Sequence, residues 1–109
     1  MRLSIFADKE RFGELLSWEL EYRAKLTELA LARTTLAGLL QAFSNNQGDD
    51  PAIPHSYANK RVLSAIRAEA RLGENARLAD APPEAIHAAA LAVLRTDSAR
   101  RRPRSPPAR

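Results

Sequence analysis

The sequence contains no cysteine, which excludes disulfides, thiolate zinc sites and cysteine nucleophiles. Aromatic residues supply only 6% of the chain. With alanine and leucine dominating the apolar content, that scarcity favours closely packed helices over a sheet or sandwich. No window approaches the roughly 20 consecutive apolar residues that a membrane span requires. The opening MRLSIFADKE has an apolar run too short for a signal peptide, so a cytoplasmic location is expected. Glycine-rich phosphate loops and nucleophile elbows are missing too, and the expectation is a protein that is not an enzyme. His55 and His87, the two histidines, have no metal-ligand spacing. Asp49-Asp50 lacks the alternating oxygen ligands of a calcium loop and reads as a turn. Neither a metal nor another cofactor is expected.

What is present suffices for one small domain, 109 residues with 45% hydrophobic content. The net charge of +4 is unevenly placed. Residues 1–94 hold 11 Lys/Arg against 12 Asp/Glu, whereas residues 95–109 hold six arginines against Asp97 alone. The body is near neutral and the basicity belongs to the C-terminal end.

No proline precedes Pro51, and residues 8–44 read as one long amphipathic helix. Asp8 is its N-cap, with Glu10 in the first turn. Phe12, Leu15, Tyr22, Leu26, Leu29, Leu36, Leu40 and Phe43 fall on the a and d positions of one heptad frame, interrupted at a by Glu19 and Arg33. Leu16, Leu20, Ala30 and Ala37 widen the stripe to a bundle-type face. Gly13 and Gly38 are the expected places for a bend. A turn cluster over residues 45–51 ends the helix. Ser56 is the expected cap of a second helix over 57–72, with Val62, Leu63, Ile66 and Ala70 on its apolar face and Gly73 as its C′ residue. A third helix is expected from Pro82 or Pro83 to Arg95, over 82–95, burying Ile86, Ala89, Ala90, Val93 and Leu94. Residues 1–95 thus form an all-helical domain. Residues 96–109, TDSARRRPRSPPAR, hold no aliphatic residue larger than alanine and read as a disordered Arg/Pro-rich tail.

A helix over 8–44 would span roughly 55 Å, against about 33 Å for a compact domain of this length. Its stripe therefore calls for a second copy, and the expected fold is an all-α helical bundle completed by dimerisation. The association face is Phe12, Leu15, Glu19, Tyr22, Leu26, Leu29, Arg33, Leu36 and Leu40, with Glu19 and Arg33 either paired inside it or leaning into solvent. Trp18 and Phe43 are candidate anchors for a partner. An acidic line, Glu14, Glu21 and Glu28, on the first helix and a basic line, Lys60, Arg67 and Arg71, on the second read as ordinary solvated faces whose pairing would align antiparallel helices, with anion binding by the basic line as the alternative. Arg100, Arg101, Arg102 and Arg104 supply tail contacts.

Two local patterns resemble known families. Ala79-Asp80-Ala81-Pro82-Pro83-Glu84-Ala85-Ile86 resembles the turn and early recognition helix of helix-turn-helix proteins, although Glu84, His87 and a run of alanines stand where base-reading residues belong. The order of one long helix, a loop and two shorter ones resembles the all-helical chorismate mutases. Arg33 followed by Leu36 and Ala37 is similar to that family's first-helix arginine motif, and Ile53 followed by Val62-Leu63 to its second-helix spacing. Where the family has its lysine, aspartate, arginine and glutamate, this chain has Ser44, His55, Ala58 and Asn59. The resemblance therefore implies the fold without the activity. The expected function is a non-catalytic adaptor, chaperone-like or assembly protein that dimerises through its first helix and meets an acidic protein partner through its tail. The rival expectation is nucleic-acid binding through Lys60, Arg67, Arg71 and the tail.

Overall fold

The computed structural model describes residues 15–73 and 76–101. Phe12, Glu14, Arg102 and Arg104 lie outside the described residues, as do the first turns of the expected long helix. Within the described residues the fold is all-α, with no strand. Helix α1 covers Ser17–Leu31, α2 Leu36–Asn45, α3 Pro54–Glu69 and α4 Pro83–Arg101, with a 3-10 turn at Leu78–Asp80 before α4. No described helix is long and apolar enough to cross a membrane.

The expected single helix over 8–44 is interrupted. Ala32 turns to extended backbone (φ −65, ψ 136), its N–H still bonded to the Glu28 carbonyl. Arg33, Thr34 and Thr35 then form a turn before α2 begins. Two adjacent β-branched threonines weaken the helix here. The freed Ala32 carbonyl is met by Nε2 of His87 from α4, so the break is satisfied from across the bundle. Gly38, an expected bend, lies inside α2 and has nothing within 4 Å of where a Cβ would stand.

Because of this fold-back, the chain covers the apolar heptad positions of its own stripe from Leu26 to Phe43, while Leu16 stays exposed. α1 packs on both α3 and α4, and α2 packs on α3 and the 3-10 turn. Leu26, Leu29, Leu36, Leu40 and Phe43 are buried with Val62, Leu63, Ile66, Leu78, Ile86, Ala90 and Leu94 in one core. Each fully buried leucine or isoleucine contributes roughly 1.5–3 kcal/mol. Four residues of the expected association face, Leu26, Leu29, Leu36 and Leu40, are thus core residues of a single chain. The premise that a second copy must cover them falls with the unbroken rod.

Helix ends differ from expectation for identifiable reasons. Pro54 opens α3, a residue suited to the first turn, and Asp50 prepares it by accepting the Ala52 N–H on its side chain at 2.9 Å. Ser56 lies inside the helix, its hydroxyl reaching the Ile53 carbonyl at 3.4 Å. At the far end the Arg71 and Leu72 amides return to the Ala68 and Arg67 carbonyls at 3.2 and 2.9 Å. This is a Schellman closure, and its left-handed position is Arg71 (φ 57) instead of Gly73. α4 continues past Arg95 through Arg101, because Asp97 gives its last turns a polar anchor that composition does not display.

Candidate anion-binding cleft

Two groups of described charges have opposite fates. The first lies where α4 ends against the start of α1. Asp97 is 4% exposed and Arg23 2% exposed. Arg23 donates to the Asp97 carboxylate at 2.8 Å and to the Ser98 hydroxyl at 2.8 Å. Arg100 and Arg101 donate to the same carboxylate at 2.6 and 2.7 Å, and Arg101 also reaches Glu19. Glu19 in turn accepts the Leu16 N–H at 2.9 Å, tying down the first turn of α1. Burial by itself would raise the Asp97 carboxyl, but hydrogen bonds from Arg101, Arg100 and Arg23 outweigh it and hold it below the usual aspartate range. Burial likewise works against the Arg101 charge, and the bonds to Asp97 and Glu19 overcome it, raising that group. Tyr22 beside them is raised, by burial first and by the Asp97 charge second. A cleft of about 150 Å³ here is lined by Asp97, Glu69 and Arg100 together, so its charges already have opposites.

The second group lies along α3. Two adjoining clefts, of about 380 and 260 Å³, share Arg67 as a common wall. The larger is lined by Lys60, Ser64, Gln47, Ala68 and Leu72. The smaller runs under α2 and the 3-10 turn, lined by Gln41, Ser44, Arg77, Leu40 and Leu78. Their described lining holds Lys60, Arg67 and Arg77 and no carboxylate. The Arg67 Nε is buried without a hydrogen-bond partner, an orphan donor of the kind folded proteins seldom leave. Lys60 meets Asp49 only at the surface, with the lysine side chain 48% and the aspartate 83% exposed. Such a pair is worth little. Arg71, adjacent to Leu72 of the larger cleft, occupies a left-handed position that glycine fills at lower cost.

The structure sorts the other expected site residues as follows. Glu19 sits in a part-buried ion pair, with Arg101 instead of Arg33. Arg33 is exposed at the helix break, and the first-helix arginine of the chorismate mutase resemblance lines none of the three described clefts. Leu15 and Tyr22 are half-buried. Among the described residues the acidic and basic lines do not pair: Glu21 pairs with His55 at 3.2 Å and Lys25 at 3.9 Å, and Lys60 with Asp49. Trp18 packs edge-on against Tyr57 at 4.9 Å and Tyr22 at 6.1 Å. Phe43 is core, with Lys25 above its ring at 4.8 Å. Arg100 and Arg101, expected in a free tail, are engaged by Asp97.

Three participants were not anticipated. Arg23 had a signal, since Leu16, Arg23, Ala30 and Ala37 recur every seven residues and a lone charge stands in an otherwise apolar column. Asp97 had one too, as the single acid among the C-terminal arginines. Arg77 had none, because its place depends on how the chain crosses from α3 to α4. No protein-family model matches this chain, and neither a curated protein nor a solved structure matches it significantly.

Proposed function

We propose that this protein is a non-catalytic helical binding module whose working surface is the basic cleft along α3, and that its partner is an acidic protein. The carrying observation is Arg67, a guanidinium with an orphaned Nε set in the wall between two clefts lined by Lys60 and Arg77 and by no described carboxylate. Cations grouped in a cleft whose one described carboxylate contact is the exposed Lys60–Asp49 pair favour an anionic partner and steer its approach. The described lining brings no histidine or carboxylate to Ser44 or Ser64 that would activate either hydroxyl. The Arg100 and Arg101 side chains are bound to Asp97, which favours α3 over these two arginines as the acidic-partner surface.

The test is fluorescence anisotropy of a labelled polyglutamate peptide with the full chain at low and high salt. Binding at low salt, screened at 0.5 M and weakened about tenfold or more in a Lys60→Gln, Arg67→Gln, Arg77→Gln triple variant, supports the reading. Equal binding by the folded triple variant overturns it. Preferential binding of a single-stranded DNA of matched charge, with a steep salt slope, replaces it with the nucleic-acid reading.

A further inference from the structure

We infer that the cleft is built for a phosphorylated side chain, so that the acidic partner is recognised through a phosphoserine or phosphothreonine seated on Arg67. This rests on the preceding reading and narrows it. Arg67 is the residue shared by the two clefts, so a group placed there has cavity on either side. A guanidinium presents a planar fork that matches the oxygens of a phosphate in two parallel bonds, and its Nε is one of the donors such a fork uses. That Nε has no hydrogen-bond partner among the described residues and is buried, so a phosphate engages it once the side chain shifts into the cleft. A phosphate monoester carries about −1.5 to −2 charge at pH 7 and three strong acceptor oxygens. It therefore uses Arg67 together with the cations flanking it, Lys60 in one cleft and Arg77 in the other, more fully than a carboxylate does. Hydroxyls of Ser44 and Ser64 supply neutral donors on the two sides.

The remaining walls decide between a peptide and a nucleic acid. Leu72 and Ala68 line one cleft and offer a surface suited to the apolar parts of residues flanking a phosphoresidue, while Leu40 and Leu78 floor the other from the core. A single strand of nucleic acid needs aromatic faces on which bases stack. Trp18, Tyr22 and Tyr57 are engaged with one another, and no described aromatic residue lines either cleft.

The experiment uses the full chain and two degenerate peptide pools with acidic flanks, one carrying a central phosphoserine and the other serine, with matched single-stranded DNA alongside. The phosphoserine pool is expected to bind roughly tenfold tighter than the serine pool, and millimolar inorganic phosphate to compete with it. Arg67→Lys keeps the charge but removes the fork. It should erase most of that preference while leaving the serine pool within about twofold. Because Arg67 Nε makes no bond in the free protein, its ¹⁵N–¹H resonance should shift on adding inorganic phosphate, a readout that a merely structural arginine does not give. Equal binding of the two pools overturns this inference and leaves the acidic-partner reading standing. Tighter binding of DNA than of either pool, or no binding of either pool, overturns both.

Discussion

The two ends of this small bundle handle arginine in opposite ways. Against the start of α1, Arg23, Arg100 and Arg101 converge on Asp97 and Glu19, and three guanidiniums are satisfied by two carboxylates. Along α3, Arg67 and Arg77 line clefts without a described carboxylate, and Arg67 keeps an orphan donor. The first arrangement welds elements separated by more than seventy residues; the second holds nothing together. Arginine content alone therefore says little about binding, and what separates the two uses is whether an acid lies within reach.

The sharpest way to break that comparison is to remove the acid. Asp97→Ala leaves the buried Arg23 without its carboxylate and should cost about 3–5 kcal/mol, measured by urea unfolding monitored by circular dichroism. A loss below 1 kcal/mol would mean the network is ornamental. Acid is the second probe of the same contact. The Asp97 carboxyl is depressed in the folded chain, so its stabilisation is complete above the ordinary aspartate value of about 3.9 and is lost as pH falls through the lower folded value. The melting temperature should drop below about pH 4 more in the native protein than in Asp97→Asn, which has no such proton to take up.

Smaller effects are expected at the α3 end. Arg71→Gly relieves a left-handed residue (φ 57) and should stabilise by about 1 kcal/mol, while removing one cation next to the cleft. Gly38→Ala, with open space around the new methyl, should add about 0.5–1 kcal/mol without touching either group. Arg67→Met should change stability least, within about 0.5 kcal/mol, since no bond is broken and an unsatisfied buried donor is removed. Yet it should weaken polyglutamate binding more than any other single change. A large destabilisation by Arg67→Met would place that residue with Asp97 among the structural arginines and erase the contrast.

The helical class and the apolar faces of α3 and α4 were legible because each rests on 3.6-residue spacing within one element. Val62, Leu63 and Ile66, and Ile86, Ala89, Ala90, Val93 and Leu94, are buried as that spacing requires. Leu26, Leu29, Leu36, Leu40 and Phe43 of the heptad frame are buried, but the frame runs through a break that no proline or glycine marks. The interruption depends on Thr34 and Thr35 being weak and on His87 reaching Ala32 from α4, a contact across fifty-five residues. Periodicity reports which face is apolar and not what covers it, which is why the stripe suggested a second copy. In the cleft, Lys60 and Arg67 were visible as a basic line on one helix. Arg77, Ser44 and Gln41 join them only through the packing of α2 and the 3-10 turn against α3.

The hold of Asp97 on α4 also dictates where this polypeptide tolerates trimming. Composition draws a tidy border after Arg95, where aliphatic residues run out, and an expression clone stopped there would look conservative. It would discard the rivet that fastens the last helix to the first. The surviving piece should keep its helical spectrum yet melt early, and Arg100 and Arg101 beyond the border belong as much to the architecture as any leucine within it.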